Sequence, residues 1–115
     1  PPPADAPGYF YTNTDQNQLR LWSLQVDFEH PANSRFAELP ALATAHYNYV
    51  AGNFIPQKGT QQKLDSIGEF PMWRFVYRNF GDHEALLGDF TVDVDGNLHA
   101  GIRWFELRRQ GHDPW

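Results

Sequence analysis

The stretch HEALLGDFTVDVDGNLHAGIRWFELRR, residues 83 to 109, constrains the fold more than any other part of the chain. Its apolar residues recur at every second position. Leu86, Phe90, Val92 and Val94 share one side, with Gly88 in register among them, and Leu87, Asp89, Thr91 and Asp93 share the other. A period of two is the pleat of a half-buried β-strand, whereas a helix repeats at 3.6. Asp95-Gly96 in the middle is a two-residue hairpin signal, because the central positions of such a turn need positive φ, so NLHAGIRWFELRR reads as the returning strand. Upstream, PMWRFVYRNF places Trp73, Phe75 and Tyr77 on one face and Met72, Arg74, Val76 and Arg78 on the other, and Gly81-Asp82 turns it. The three runs predict an antiparallel meander and an all-β fold class.

The rest of the chain divides around this meander. PPPADAPG has few backbone donors and predicts an extended arm over residues 1–8. YFYTN, Tyr9 to Asn13, is a short aromatic strand. In the following LRLWSLQVDF, Trp22, Leu24, Val26 and Phe28 are expected on a buried face, with Ser23, Gln25 and Asp27 opposite. FAELPALATA, Phe36 to Ala45, has Pro40 in its middle and predicts an edge strand, where a missing backbone donor is tolerated. Gly52, Pro56, Gly59 and Gly68 interrupt any period over 47–69, which reads as a long loop. The expected division is therefore an arm at 1–8, a first sheet at 9–46, the loop at 47–69, a second sheet at 70–110 and a tail at 111–115. Each sheet resembles a propeller blade, a four-stranded sheet covered on both faces by its neighbours. Two or three blades do not close a ring, so this reading leaves apolar faces and strand edges for other polypeptides to cover.

Composition narrows the class of function. A chain of 115 residues is one ordinary domain, and an aromatic share of 16% marks it as a packed one. Nine basic against fourteen acidic residues, a net charge of -5, repel a phosphate backbone, so nucleic acid is not an expected partner. Without cysteine there is neither a disulfide framework nor a thiolate zinc site. No run approaches the roughly 18 apolar residues of a membrane-spanning helix. An opening PPPADAPG, with neither an initiator Met nor a basic-then-apolar leader, is expected of a processed or excised piece.

The words MWRFVYRNFGDHEALLGDFTVDVDGNLHAGIRWFELRR, with DFEHPANSRF and IPQKGTQQKLDSIGEF before them, resemble a motif of large, secreted, mostly uncharacterised bacterial proteins of β-propeller-like architecture. The resemblance covers about Leu19 to Arg109. It implies a fragment of a longer precursor, a secreted or periplasmic setting, and two to three blades that stay incomplete without other chains. Many relatives read Asn-His before Thr-Val-Asp, where this chain has Gly88-Asp89-Phe90, so a site built on that His is missing. The resemblance brings no catalytic residue with it.

Four groups of residues are candidate sites. Asp93, Asp95 and Asn97 have the one-three-five spacing of the first oxygen ligands of an EF-hand loop, and Asp89 or a neighbouring chain could complete a calcium site. The rest of that loop fails: Leu98 stands at the sixth position, Trp104 at the twelfth, and strands flank it. A hairpin corner is therefore the expectation and calcium the alternative. Asp82, His83 and Glu84 form the densest polar trio and are expected to converge with His99 and Arg103 at one end of the sheet, either as an acid-base or ligand site or as a hydrogen-bond network between blades. Arg74, Arg78 and Arg103 call for carboxylate partners, with Glu106, Asp89 and Glu84 as candidates. Trp22, Trp73 and Trp104, with Tyr77, are the residue types of a carbohydrate platform, although strand period assigns each to the core. His30, His46 and His112 have no companions at ligand spacing. There is no G-x-S-x-G, Walker loop or H-E-x-x-H. The sequence thus reads as a non-enzymatic propeller fragment that associates with other copies or companion fragments to form a scaffold or binding surface. The alternatives are a calcium-assisted, lectin-like carbohydrate-binding module and part of a hydrolase, with His83 and Glu84 at its centre, that is active only when assembled.

Overall fold

The computed structural model describes residues 6–13 and 16–115. Most of the arm expected over 1–8 lies outside them, and Gly8 already belongs to a strand. The described chain is all-β, in open antiparallel sheets. It contains no helix long and apolar enough to cross a membrane.

The first sheet is built on β2 (Gln18–Gln25), with β1 (Gly8–Thr12) along one edge. β3 (Arg35–Glu38) and β4 (Leu42–Ala43) share the other edge. Pro40 falls in the gap between them, as an edge position allows, and the Leu39 N–H keeps contact with β2 by donating to the Leu21 carbonyl at 2.8 Å. The buried face of β2 is not the expected one. Leu19 and Leu21 are buried, while Trp22 and Leu24 point the other way and are only half covered; Val26 and Phe28 lie beyond the strand and are exposed. β2 is apolar on both sides, so period alone could not choose between them, and the partner sheet made the choice.

That partner is the meander of β7 (Val76–Asn79), β8 (Glu84–Asp93) and β9 (Ala100–Arg109). Rings from the two sheets interlock: Tyr9 stacks on Tyr77 at 6.3 Å, and Tyr11 meets Phe75 at 4.6 Å and Phe105 at 5.1 Å. The Tyr11 hydroxyl also donates to the Asp89 carbonyl at 2.8 Å. Leu19, Tyr47, Phe90 and Val92 form the buried cluster beneath, with Tyr11, Leu42 and Phe105 against it. Full burial of a side chain such as Leu19 or Phe90 contributes about 1.5–3 kcal/mol, so these few residues dominate the joint. Gly88 lies opposite Phe105 in the register and leaves room for its ring.

Three further expectations need correction. The strand in PMWRFVYRNF begins only at Val76, so Trp73 is not in the core but 92% exposed. The edge of β8 beyond β7 is taken by Met72, whose N–H donates to the Asp89 carbonyl at 3.0 Å, and by a bridge from Asn48 to Asp93. The long loop over 47–69 contains a hairpin of its own, β5 (Asn53–Pro56) with β6 (Lys63–Asp65). Its register shifts between Asn53 and Ile55, which breaks the period of two and hides it from a pattern reading. Finally, β8 and β9 pair Asp93 with Ala100, so the corner around Asp95-Gly96 spans residues 94–99 rather than two residues, and Val94 is exposed.

Each outer face of the two-sheet stack carries exposed apolar residues beside an ion pair, Arg20 with Glu38 on the first sheet and Arg108 with Glu106 on the second. On the first sheet Phe10 is 49% and Phe36 62% exposed, flanking Trp22 and Leu24. On the second, Ile102 is 63% and Trp104 69% exposed, beside Leu87 and Val76.

Candidate functional site

The register of β8 and β9 places Glu84 opposite Arg109 at one end of the meander. The Arg109 Nε donates to Glu84 Oε2 at 2.5 Å, and the Tyr77 hydroxyl donates to Glu84 Oε1. The guanidinium lies over two rings, Trp115 at 4.4 Å and Tyr9 at 5.7 Å, and Tyr9 meets Trp115 edge-on at 5.3 Å. Residues 111–115, expected as a tail, thus fold back to cover the ion pair. Around this node opens a cleft of about 540 Å³ whose wall includes Tyr9, Gln25, Asn79, Asp82, His83, Glu84, Arg109 and His112.

The electrostatics follow from these contacts. The Arg109 guanidinium, helped by the Tyr77 hydroxyl, holds the Glu84 carboxyl below the usual carboxylate range despite partial burial. Burial and the same carboxylate push the Tyr77 phenol up to about 12. Glu84 is therefore ionised and neutralised in place, with both oxygens engaged, which suits a joint between two sheets better than a proton donor. His83 has a different neighbour: its Nδ1 lies 2.8 Å from Asp82 Oδ1, and that contact lowers the Asp82 carboxyl. The His83 ring stacks on Phe80 at 4.7 Å, and the Arg78 guanidinium sits 5.4 Å from the same Phe80 ring.

The expected convergence of Asp82, His83 and Glu84 with His99 and Arg103 does not occur. Arg103 pairs with Phe90, and His99 lies in the loop beyond Asp93, so the two sets sit towards opposite ends of a ten-residue strand, on the order of 20–30 Å apart at 3.3 Å per residue. His99 instead lies 3.4 Å from Asp95, and Arg103 donates to the His46 carbonyl at 3.3 Å and covers the Tyr47 ring at 5.3 Å. The carboxylates proposed for Arg74, Arg78 and Arg103 are differently used: Glu84 pairs with Arg109, and Glu106 with Arg108 at 2.9 Å. Arg109, Trp115 and Tyr9 escaped the sequence reading, as did the place of His112 in the cleft wall. Only the register of the hairpin could have signalled Arg109.

In the acidic corner, Asp93 turns its carboxylate inward. Oδ1 accepts the N–H groups of Gly96 at 3.0 Å, His99 at 3.2 Å and Asp95 at 3.3 Å, and Oδ2 accepts that of Leu98 at 3.0 Å. Burial alone would raise this carboxyl, but the N–H groups of Leu98, Asp95, His99 and Gly96 hold it below the usual range. They also fold the loop, in which Gly96 and Leu98 take positive φ. Both oxygens that would face a cation are thereby aimed at backbone. Among the described residues no group of three or more His, Asp or Glu is placed to hold a metal ion.

Of the candidate platform, Trp22 is half-buried beneath Arg20 at 5.2 Å, whereas Trp73 and Trp104 stand on the surface; Tyr77 is engaged inside. Comparison with known proteins finds no matching family model, no matching curated protein and no matching solved structure.

Proposed function

We propose that this chain is a non-enzymatic piece of a secreted bacterial β-propeller-like protein and works by association, its sheets completing a larger assembly that serves as a scaffold or binding surface. The observation that carries this reading is apolar surface on both outer faces of the stack, Phe10 and Phe36 on one side and Ile102 and Trp104 on the other. A self-sufficient two-sheet sandwich turns polar residues outward, while a blade between two neighbours is apolar on both faces. Supporting it from the other direction, the strongest polar node, Glu84 with Arg109 and Tyr77, is internally satisfied and joins two sheets. The secreted bacterial setting rests on the resemblance of the motif over Leu19 to Arg109.

The test is the mass of the native particle by light scattering, with native mass spectrometry naming every chain in it. A particle of several chains is expected, and a folded monomer of 13.3 kDa overturns the reading. The exposure of Trp73 and Trp104 favours a second reading, a carbohydrate-binding surface. Glycan-array binding that Trp73→Ala or Trp104→Ala abolishes would support it, and an array without signal would remove it.

A further inference from the structure

We infer that a cavity beside the folded-back segment 111–115 is a binding site for a small, uncharged, largely apolar molecule that carries a hydrogen-bond-accepting oxygen, held by the indole N–H of Trp115. The site stands apart from the association reading above and does not depend on it. The cavity has a volume of about 320 Å³ and is lined by Leu21, Leu39, Pro40, Pro114 and Trp115, with Arg109 in its wall. That size lies at the lower end of the roughly 300–1,000 Å³ of small-molecule sites, whose linings are mostly apolar with a few placed polar groups. It forms because the chain turns after β9, where the Asp113 N–H donates to the Gln110 carbonyl at 3.0 Å, and returns to the first sheet at the place where Pro40 separates β3 from β4. Proline has no N–H to pair there, so the two segments meet through side chains and leave a gap.

Two observations fix the chemistry of the occupant. The first is the Trp115 Nε1, which is shut off from solvent and has no acceptor among the described residues. Its ring is pinned by the Arg109 guanidinium at 4.4 Å and by the edge of Tyr9 at 5.3 Å, and neither contact uses the N–H. A buried donor without a partner is uncommon, and one already held in place loses little freedom when an acceptor reaches it. An indole nitrogen only donates, so the group that meets it must be an acceptor. Water is a poor candidate, because an apolar lining offers few of the several polar partners that a buried water needs. The second observation is charge. The Arg109 Nε is bonded to Glu84 at 2.5 Å, so the wall holds no unpaired cation for a carboxylate, and Asp113, exposed at the rim, repels one. A cationic ligand would face the guanidinium. A ketone, ester or ether on an apolar body of about one ring satisfies the donor, the charge and the lining together.

The experiment uses the purified chain with nitrogen-15 in its four tryptophan indoles, whose N–H resonances are followed by NMR while Trp115→Phe assigns the one from Trp115. The probes are acetophenone, ethylbenzene, which keeps the ring and chain length without the oxygen, and benzoate, which adds a charge. Acetophenone at millimolar concentration or below is expected to move the Trp115 indole proton downfield in a saturable way and to leave the other indoles in place. Ethylbenzene is expected to bind about three- to tenfold more weakly, the net worth of one neutral hydrogen bond, and benzoate more weakly than acetophenone. Trp115→Phe keeps a ring and loses the donor, so it is expected to bind acetophenone and ethylbenzene alike, read by saturation transfer to the ligand. If circular dichroism shows that this variant does not fold, the contacts of the indole proton with the Tyr9 ring identify its resonance, and Leu39→Glu, which places a charge in the half-exposed wall, is expected to abolish binding of both probes. The absence of a saturable shift at Trp115 overturns the inference. So does ethylbenzene or benzoate binding as tightly as acetophenone, a Trp115→Phe chain that keeps the preference for the carbonyl, or a Leu39→Glu chain that binds like the parent.

Discussion

Replacing Gly88 with alanine would probe the joint between the two sheets with a single methyl group. An ideal Cβ at this position lies 2.7 Å from Phe105 Cζ, 3.0 Å from Phe105 Cε1 and 3.1 Å from Tyr11 Cζ. Carbon atoms pack best at about 3.5–4.0 Å, so the rings must retreat by close to an ångström. Tyr11 is anchored by its bond to the Asp89 carbonyl and by Phe75, and Phe105 lies against the buried cluster, so neither ring moves freely. Overpacking of this kind costs about 1–3 kcal/mol, and removing a strand glycine returns about 0.5–1 kcal/mol. The net expectation for Gly88→Ala is about 1–2 kcal/mol of lost stability, or about 4–8 °C in Tm for a chain of this size. Urea denaturation at one fixed protein concentration reads it, with the concentration held because association would shift the midpoint. Phe105→Leu should relieve the overlap, so the double variant should lose about 1 kcal/mol less than the sum of the two singles. A Gly88→Ala chain as stable as the parent, or strict additivity with Phe105→Leu, would refute the packing argument.

Two further outcomes follow from the polar contacts. Tyr11 and Tyr77 both have phenols pushed up to about 12, by burial first and by Asp89 and Glu84 respectively. A folded-state pKa above the unfolded value means this stabilisation is whole below pH ~10 and is lost as pH rises through about 12. Ultraviolet titration of the parent beside Tyr11→Phe and Tyr77→Phe should show each substitution removing one late-ionising phenol; a substitution that leaves the late component undiminished would contradict the buried node. In the acidic corner, Asp93→Ala should accelerate hydrogen exchange at the Gly96, Leu98 and His99 amides, while EDTA should leave the parent's Tm unchanged. A Tm that falls on chelation would show that a cation, not the backbone, holds Asp93.

What the pattern could and could not reveal is clearest in the β8–β9 hairpin. Both strands and a turn at Asp95-Gly96 were legible, because alternation and a glycine in a turn are local properties; of the residues grouped on one side, Leu86, Phe90 and Val92 are buried and Val94, beyond the end of the strand, is exposed. The register was not. A two-residue turn would pair Glu84 with Leu107, but the loop over 94–99, folded around the Asp93 carboxylate, moves the pairing by two residues and brings Arg109 to Glu84. A shift of two preserves which face each residue occupies and changes every partner, so alternation alone could not signal the pairing of Glu84 with Arg109. The hairpin of β5 and β6 was missed because a bulge interrupts its period.

The sequence by itself determined the all-β class, the strands on either side of Asp95-Gly96 and the edge position of the segment around Pro40, each a matter of local geometry. Only the tertiary structure decided which apolar side of β2 is covered, that Trp73 and Trp104 lie outside, and that Glu84 meets Arg109 beneath Trp115. Those outcomes depend on which surface another sheet happens to occupy, and burial of a face is a property of the pair of surfaces, which no single strand encodes.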